Sequence, residues 1–241
     1  TNAINVPKSA VKVLVKAASA FNRECDQFSG VLIVENGEGT SYYSLRRAVA
    51  FCQRYADRPN ALAARVDVPR NTCNMILETE GESNIVLYDE KIVSFQNTEF
   101  KANHGWPRVE AVFNWSGAGM LKVRKTDILK VLRQIIAMCE GSGLKKIYPF
   151  SMTILNCAIT LSVKHENFYS EIELPLLEAP TGEMFVEHAY DAKQLKKIIS
   201  HFNYSFIYLC WAKTSPEFTV LGVLENPRTY DGFMAALAPL K

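Results

Sequence analysis

An α+β fold of two similar domains, each with two helices on one face of antiparallel sheet, is what this sequence predicts. Three observations lead there. One short shape, a strand followed by a capping residue and an amphipathic helix, recurs four times along the 241 residues, and a recurring unit is the first thing to look for in a chain. The segments between these units are rich in β-branched and aromatic residues and bounded by turn formers, as strands are. A stretch holding Gly105, Pro107, Gly117 and Gly119 divides the chain near its middle, which leaves two halves of ordinary domain size. The domains are expected at residues 1–110 and 111–241.

The first unit is Ile4-Asn5-Val6-Pro7 followed by a helix from Lys8 to about Asn22. The second is Ala64 to Val68, with Pro69 opening a helix that runs to about Leu77. The third is Met120 to Val123, then a helix from Lys125 to about Met138, stopped by Gly141 and Gly143. The fourth is Met184 to Tyr190, with Asp191 opening a helix to about His201. Proline at the first helical position and an acid at the start are the usual opening signals, and glycine is the usual stop. Strands are expected over Val31–Glu35, Tyr42–Tyr55, Ile85–Tyr88, Lys91–Phe95 and Thr98–Lys101 in the first half. In the second half they are expected over Ser151–Val163, Tyr169–Leu174, Phe206–Trp211, Phe218–Leu224 and Phe233–Leu237.

Composition excludes several classes. No apolar run reaches the length that spans a bilayer. Lys8 to Phe21 imitates a signal peptide, but Lys12 and Lys16 cut its apolar core to Val13-Leu14-Val15. Six cysteines at 25, 52, 73, 139, 157 and 210 form no C-x-x-C pair, and the four histidines are scattered. That pattern argues against a zinc site or a disulfide framework and for buried thiols in a reducing cytoplasm. Glu140 to Lys146 faintly suggests a phosphate loop but lacks the required spacing and follows a helix instead of a strand. No nucleophile–base grouping or paired-carboxylate motif is legible, so no catalytic residue, metal or cofactor is expected.

The net charge of +2 hides an uneven distribution. The four helical windows, 8–23, 69–77, 124–138 and 191–201, hold twelve basic residues: Lys8, Lys12, Lys16, Arg23, Arg70, Arg124, Lys125, Lys130, Arg133, Lys193, Lys196 and Lys197. Only Asp127 and Asp191 oppose them, both near helix starts where a negative charge suits the dipole. The helices thus carry +10 and the rest of the chain −8. Lys8, Lys12 and Lys16 recur at i, i+4, i+8, and Lys193, Lys196 and Lys197 share a face opposite Leu195, Ile198 and Ile199. Lysines also solvate ordinary helix faces. Four helices of one sign in an otherwise acidic chain instead resemble an electrostatic footprint for phosphate backbone. Those helices carry no interleaved aromatics for stacking bases, which suits duplex DNA held without sequence readout.

Three stretches resemble the second and third domains of the bacterial DNA polymerase III beta sliding clamp family. Asp26 to Ile33, then Arg46-Arg47-Ala48-Val49-Ala50, resembles its "NGMLFE … DGHRLAV" run. His104 to Phe113 resembles its "DGRFPDYRRVLP" run between those domains. Phe233 to Lys241 resembles its terminal "YVVMPMRL". The resemblance implies a non-enzymatic ring subunit that encircles duplex DNA and tethers a polymerase, loaded by a separate clamp loader. It implies a cleft between the domains for short linear peptides, with Leu45, Arg46, Ala48, Trp106, Pro107, Ala238, Pro239 and Leu240 at the matching positions. The family's "DGH" is Ser44-Leu45-Arg46 here, so the cleft is expected to differ in detail. Two domains per chain, where the family has three, lead to an expected homotrimer. The expected location is the cytoplasm, in association with the nucleoid. A clamp-fold accessory protein that forms no ring, and an enzyme with an unread site, are the competing readings. Thr1 at the start fits either methionine removal or a chain cut after a first domain.

Overall fold

The computed structural model describes residues 2–21, 29–36, 39–56, 64–81, 83–88, 92–95, 98–101, 105–115, 118–155, 158–166, 168–181, 188–215, 218–226 and 232–240. The chain divides into two compact units, Thr1–Val109 with Arg228–Phe233, and Glu110–Pro227 with Met234–Lys241.

The first unit runs β1 (Asn2–Val6), α1 (Lys8–Ser19), β2 (Val31–Asn36), β3 (Gly39–Arg46), β4 (Val49–Tyr55), then β5 (Ala64–Val68), α2 (Arg70–Glu78), β6 (Ser83–Tyr88), β7 (Ile92–Phe95) and β8 (Thr98–Lys101). It is one motif used twice: a strand, a helix and a three-stranded antiparallel meander. The leading strand of each copy pairs with the meander of the other. β1 lies antiparallel to β6, with Ile4 opposite Ile85, and β5 lies antiparallel to β2, with Val66 opposite Ile33. The strand orders are accordingly β1-β6-β7-β8 and β5-β2-β3-β4.

The second unit repeats the plan. It runs β9 (Gly119–Arg124), α3 (Lys125–Gly141), β10 (Pro149–Leu155), β11 (Ala158–His165), β12 (Phe168–Pro175), β13 (Tyr190–Asp191), α4 (Ala192–Ser200), β14 (Phe206–Ser215), β15 (Phe218–Leu224) and β16 (Gly232–Leu237). β9 pairs antiparallel with β14, and β13 with β10. The α+β class and the paired helices are therefore as the sequence predicts.

The helices bury one stripe each. α1 buries Ala10, Val11, Leu14, Ala17 and Ala18 and packs on α2 and on β2, β3 and β4. α2 buries Thr72, Cys73 and Ile76. α3 buries Ile128, Val131, Leu132, Ile135, Ile136 and Cys139 against α4, β9 and β12. α4 buries Ala192, Leu195, Ile198 and Ile199. Each fully buried Leu or Ile contributes about 1.5–3 kcal/mol of transfer free energy. Cys52, Cys73, Cys139 and Cys210 are buried free thiols.

Boundaries differ from expectation in several places, among them the run Ser151–Val163, which is two strands, β10 and β11. α1 ends at Ser19, short of Asn22, which lies outside the described residues. α3 runs past Met138 to Gly141, and the stop comes from Gly143 at φ +90°. The run Tyr42–Tyr55 is two strands joined at Arg47, whose φ of +23° no composition rule flags in a residue other than glycine. Of the strand expected over Met184–Tyr190, only Tyr190 belongs to a strand among the described residues; 184–187 lie outside them.

Candidate nucleic-acid interface

Each helix turns its basic residues away from its buried stripe. On α1, Lys12 and Lys16 are exposed and Lys8 is half-buried beside Pro7. On α2, Arg70 is half-buried. At the start of α3, Arg124 is exposed and Lys125 half-buried; further along, Lys130 and Arg133 are exposed one turn apart. On α4, Lys193 and Lys197 are exposed and Lys196 is half-buried. Arg23 lies outside the described residues.

These cations are not equivalent. The Lys125 ammonium donates to the Phe202 carbonyl just beyond α4, and the Lys125 backbone N–H donates to the Ser205 carbonyl at 2.9 Å. That residue therefore ties the start of α3 to the end of α4. Lys193 holds its ammonium 5.0 Å from the centre of the Tyr148 ring, within cation–π range. Tyr148 is itself fixed, since its hydroxyl donates to Glu140 at 3.2 Å and its backbone N–H donates to Asp191 at 3.2 Å. Asp191 also accepts from the Gln194 backbone N–H at 2.8 Å, capping α4. The one buried acid at a helix start among the described residues is thus a structural link.

The residues matched to a partner-peptide cleft are divided between the units. In the first, Leu45 and Ala48 are half-buried on either side of the β3–β4 turn. Arg46 is buried, and its guanidinium donates to the Leu45 carbonyl at 3.0 Å. Trp106 is 5% exposed, whereas Pro107 is exposed. The Arg65 guanidinium, reaching from β5, donates to the Trp106 and Pro107 carbonyls at 3.3 and 2.8 Å. In the second unit, Ala238, Pro239 and Leu240 are half-buried, and the Leu240 N–H donates to the Ala189 carbonyl at 2.8 Å.

One grouping escaped the sequence reading, although Arg124 itself was among the basic residues named there. Lys122 and Arg124 on β9 face Tyr208 and Phe206 on β14 in direct register. The Lys122 ammonium is 5.6 Å from the Phe206 ring centre and 6.0 Å from that of Tyr208. The Arg124 guanidinium is 5.9 Å from Phe206. Lys122 also pairs with Glu178, whose hydrogen bond raises the lysine pKa. The alternation of Leu121 and Val123, both buried, with Lys122 and Arg124 was readable as a strand with one wet face. What stands opposite them, more than eighty residues away, was not.

Among the described residues no grouping of histidine, cysteine, aspartate and glutamate could hold a metal ion. No described helix is long and apolar enough to cross a membrane.

Paired helices backed by two antiparallel sheets, built by an exchanged strand–helix–meander repeat, define the fold of a DNA clamp. The solved structures this chain resembles are bacterial DNA polymerase III beta subunits. Against that of Thermotoga maritima the TM-score is 0.73 at 14% identity, covering 100% of this chain and 66% of that one. Against that of Streptococcus pneumoniae it is 0.70 at 10% identity, covering 100% and 65%. A sliding clamp from Pseudomonas aeruginosa, bound to griselimycin, gives 0.69 at 13% identity, covering 100% and 66%. The chain thus spans just under two thirds of the length of these proteins. No protein-family model matches the sequence, and no curated relative does either.

Proposed function

We propose that this chain is a sliding-clamp subunit that closes into a ring of three copies around duplex DNA and tethers replication proteins to it. The observation that carries this reading is a clamp fold extending over the whole chain, with a basic face on the helices of both units. Lys12, Lys16, Lys130, Arg133, Lys193 and Lys197 are exposed, and they meet phosphate as point charges without reading sequence. The affinity is electrostatic and screened by salt, which lets the protein slide. Lys8, Arg23, Arg70, Arg124, Lys125 and Lys196 are assigned to the same DNA-facing set. Three chains of two domains supply six domains, the same number as two chains of three.

The partners are a DNA polymerase and a clamp loader. They engage through short linear peptides at the cleft assigned to Leu45, Arg46, Ala48, Trp106, Pro107, Ala238, Pro239 and Leu240. The function is topological and involves no catalysis and no cofactor. It belongs to the cytoplasm, at the nucleoid.

Two measurements test this. Light scattering of the purified chain is expected to give three times the 27.1 kDa chain mass. Protein loaded on nicked circular DNA is expected to stay bound through gel filtration and to be lost once the circle is cut. A monomer that stays bound equally to both forms would make the chain a clamp-fold DNA-binding accessory protein that forms no ring.

A further inference from the structure

The helices offer charge without aromatics, yet aromatics and cations do interleave elsewhere in the second unit. On the wet face of the β9–β14 pair, Arg124 stands opposite Phe206 and Lys122 opposite Tyr208. Phe206 is 40% exposed, and Tyr204, two residues before it, is 58% exposed. The other face of the same two strands is core, with Leu121, Val123, Ile207 and Leu209 buried. Phe206 and Tyr208 are held rigidly, on strands locked by six registered pairs, and Tyr204 lies in the bend that leads into β14. Exposed aromatic rings normally find cover, because each one left in water forgoes the transfer free energy of burial. Glu178 is the only acid that pairs with Lys122 or Arg124 among the described residues.

We infer that this face, Tyr204, Phe206 and Tyr208 with Lys122, is a binding surface for single-stranded nucleic acid, separate from the helical face assigned to the duplex except at Arg124, which stands where β9 meets α3 and borders both. Two properties of the patch favour that ligand. A base has a flat π-face that stacks on an aromatic ring, and single strands are held by such rings in series with cations tracking the phosphates. A duplex hides its base faces and can use only the cations. The spacing suits a strand running along β14, since Phe206 and Tyr208 are two residues apart, about 6–7 Å along an extended chain, and Tyr204 sits in the bend just before them. That distance is close to the reach of one nucleotide. Lys122 and Arg124 supply positive charge alongside. Glu178 tempers that charge, and a phosphate arriving at Lys122 competes with the carboxylate for the ammonium.

The experiment is fluorescence anisotropy of the intact chain with a labelled oligo(dT) 20-mer and, separately, with a labelled 20-base-pair duplex. The double variant Tyr204→Ala/Phe206→Ala is expected to weaken oligo(dT) binding about tenfold or more, the scale of lost base stacking, and to leave the duplex within twofold. Phe206→Leu keeps an apolar side chain and removes only the π-face, so it is expected to show most of the single-site loss even if the double variant folds poorly. Glu178→Gln is expected to tighten oligo(dT) binding two- to fivefold. Charge reversal at Lys193, Lys196 and Lys197 is expected to show the opposite selectivity, weakening the duplex more. Equal losses for the two nucleic acids in Tyr204→Ala/Phe206→Ala, or no loss for oligo(dT) in Phe206→Leu, overturn the assignment. So does displacement of oligo(dT) by an acidic peptide at equal charge concentration, which would make the face a protein-docking site. The duplex and ring measurements above do not depend on Tyr204, Phe206, Tyr208 or Lys122, so either inference can fail alone.

Discussion

The helix pairs of the two units share a plan and differ in how firmly they are specified. In the second unit, α4 is capped by the Asp191 side chain, and the same residue holds the Tyr148 N–H. In the first unit, α1 and α2 follow Pro7 and Pro69, and neither makes a side-chain cap. The proline fixes an entry angle but leaves the first turn's N–H groups without a side-chain acceptor. Charge is divided by helix and not by unit, and α1 carries Lys8, Lys12 and Lys16. α3 and α4 present basic residues along their length, while α2 contributes Arg70 alone. α4 is thus the helix with a side-chain cap and α2 the one with least charge, so the DNA-binding load should fall unequally on the helices.

Substitutions at two buried glycines sharpen the comparison most. A Cβ on Gly30 would stand 1.9 Å from the Val68 carbonyl oxygen, and backbone held in the β2–β5 register cannot step aside. Gly30→Ala is expected to destabilise the first unit by more than about 4 kcal/mol, the exceptional end for one substitution. A Cβ on Gly222 meets side chains instead, Cys210 Sγ at 2.5 Å and the Trp115 ring at 2.6 Å, and these can shift. Gly222→Ala is expected to cost the second unit about 1–3 kcal/mol. Hydrogen exchange read by mass spectrometry assigns each loss to its unit; similar losses would remove the distinction between backbone and side-chain obstruction.

Leu14→Ala on α1 and Leu195→Ala on α4 both empty a fully buried site, and each is expected to cost about 2–5 kcal/mol in urea unfolding. A difference between them measures how far each helix pair can collapse into the space. Charge reversal comes next. Replacing Lys193, Lys196 and Lys197 by Glu is expected to flatten the log–log salt dependence of duplex binding by about three units, and Arg70→Glu by about one. Equal effects would mean the two helix pairs share the phosphate contacts evenly. Asp191→Ala should cost about 0.5–2 kcal/mol through the lost cap, visible as a lower urea midpoint for the second unit only.

The smallest effect at neutral pH is a titration. Burial pushes the Cys73 thiol up from 9.0 to about 12, and burial likewise raises Tyr190 and Cys210. An unfolded thiol loses its proton near pH 9, whereas the folded Cys73 keeps it until about pH 12. The folded state therefore holds the extra proton between those values, and stability falls as pH rises through that window. Unfolding midpoints should be flat below pH 8 and decline above 9, with a shallower decline in Cys73→Ala.

Much of this was legible in the sequence because the signals were local. α4 is the clearest case: an acid at the cap, lysines at three- and four-residue spacing, and Leu195, Ile198 and Ile199 between them all agree. The strand before each helix was also readable. The exchange of leading strands was not, because pairing β1 with β6 or β9 with β14 joins residues some eighty positions apart. The aromatic–cation face on β9 and β14 was lost for the same reason. Arg46 and Trp106 illustrate a different limit: position in a motif named them, but their burial depends on side chains from elsewhere, such as Arg65.

The first unit does not consist of one continuous stretch of chain. Phe233 stacks on Phe51 at 5.9 Å and 10° between ring planes, and both rings belong to that unit. During synthesis, residues 1–109 emerge first and then wait for a segment about 120 residues behind them. At about 5–20 residues per second, that wait lasts on the order of ten seconds. Throughout it, the side of Phe51 that Phe233 covers stays available to other nascent chains. Phe233→Ala should therefore lower soluble yield more than its equilibrium stability predicts, and slowing translation between the two stretches should do the same.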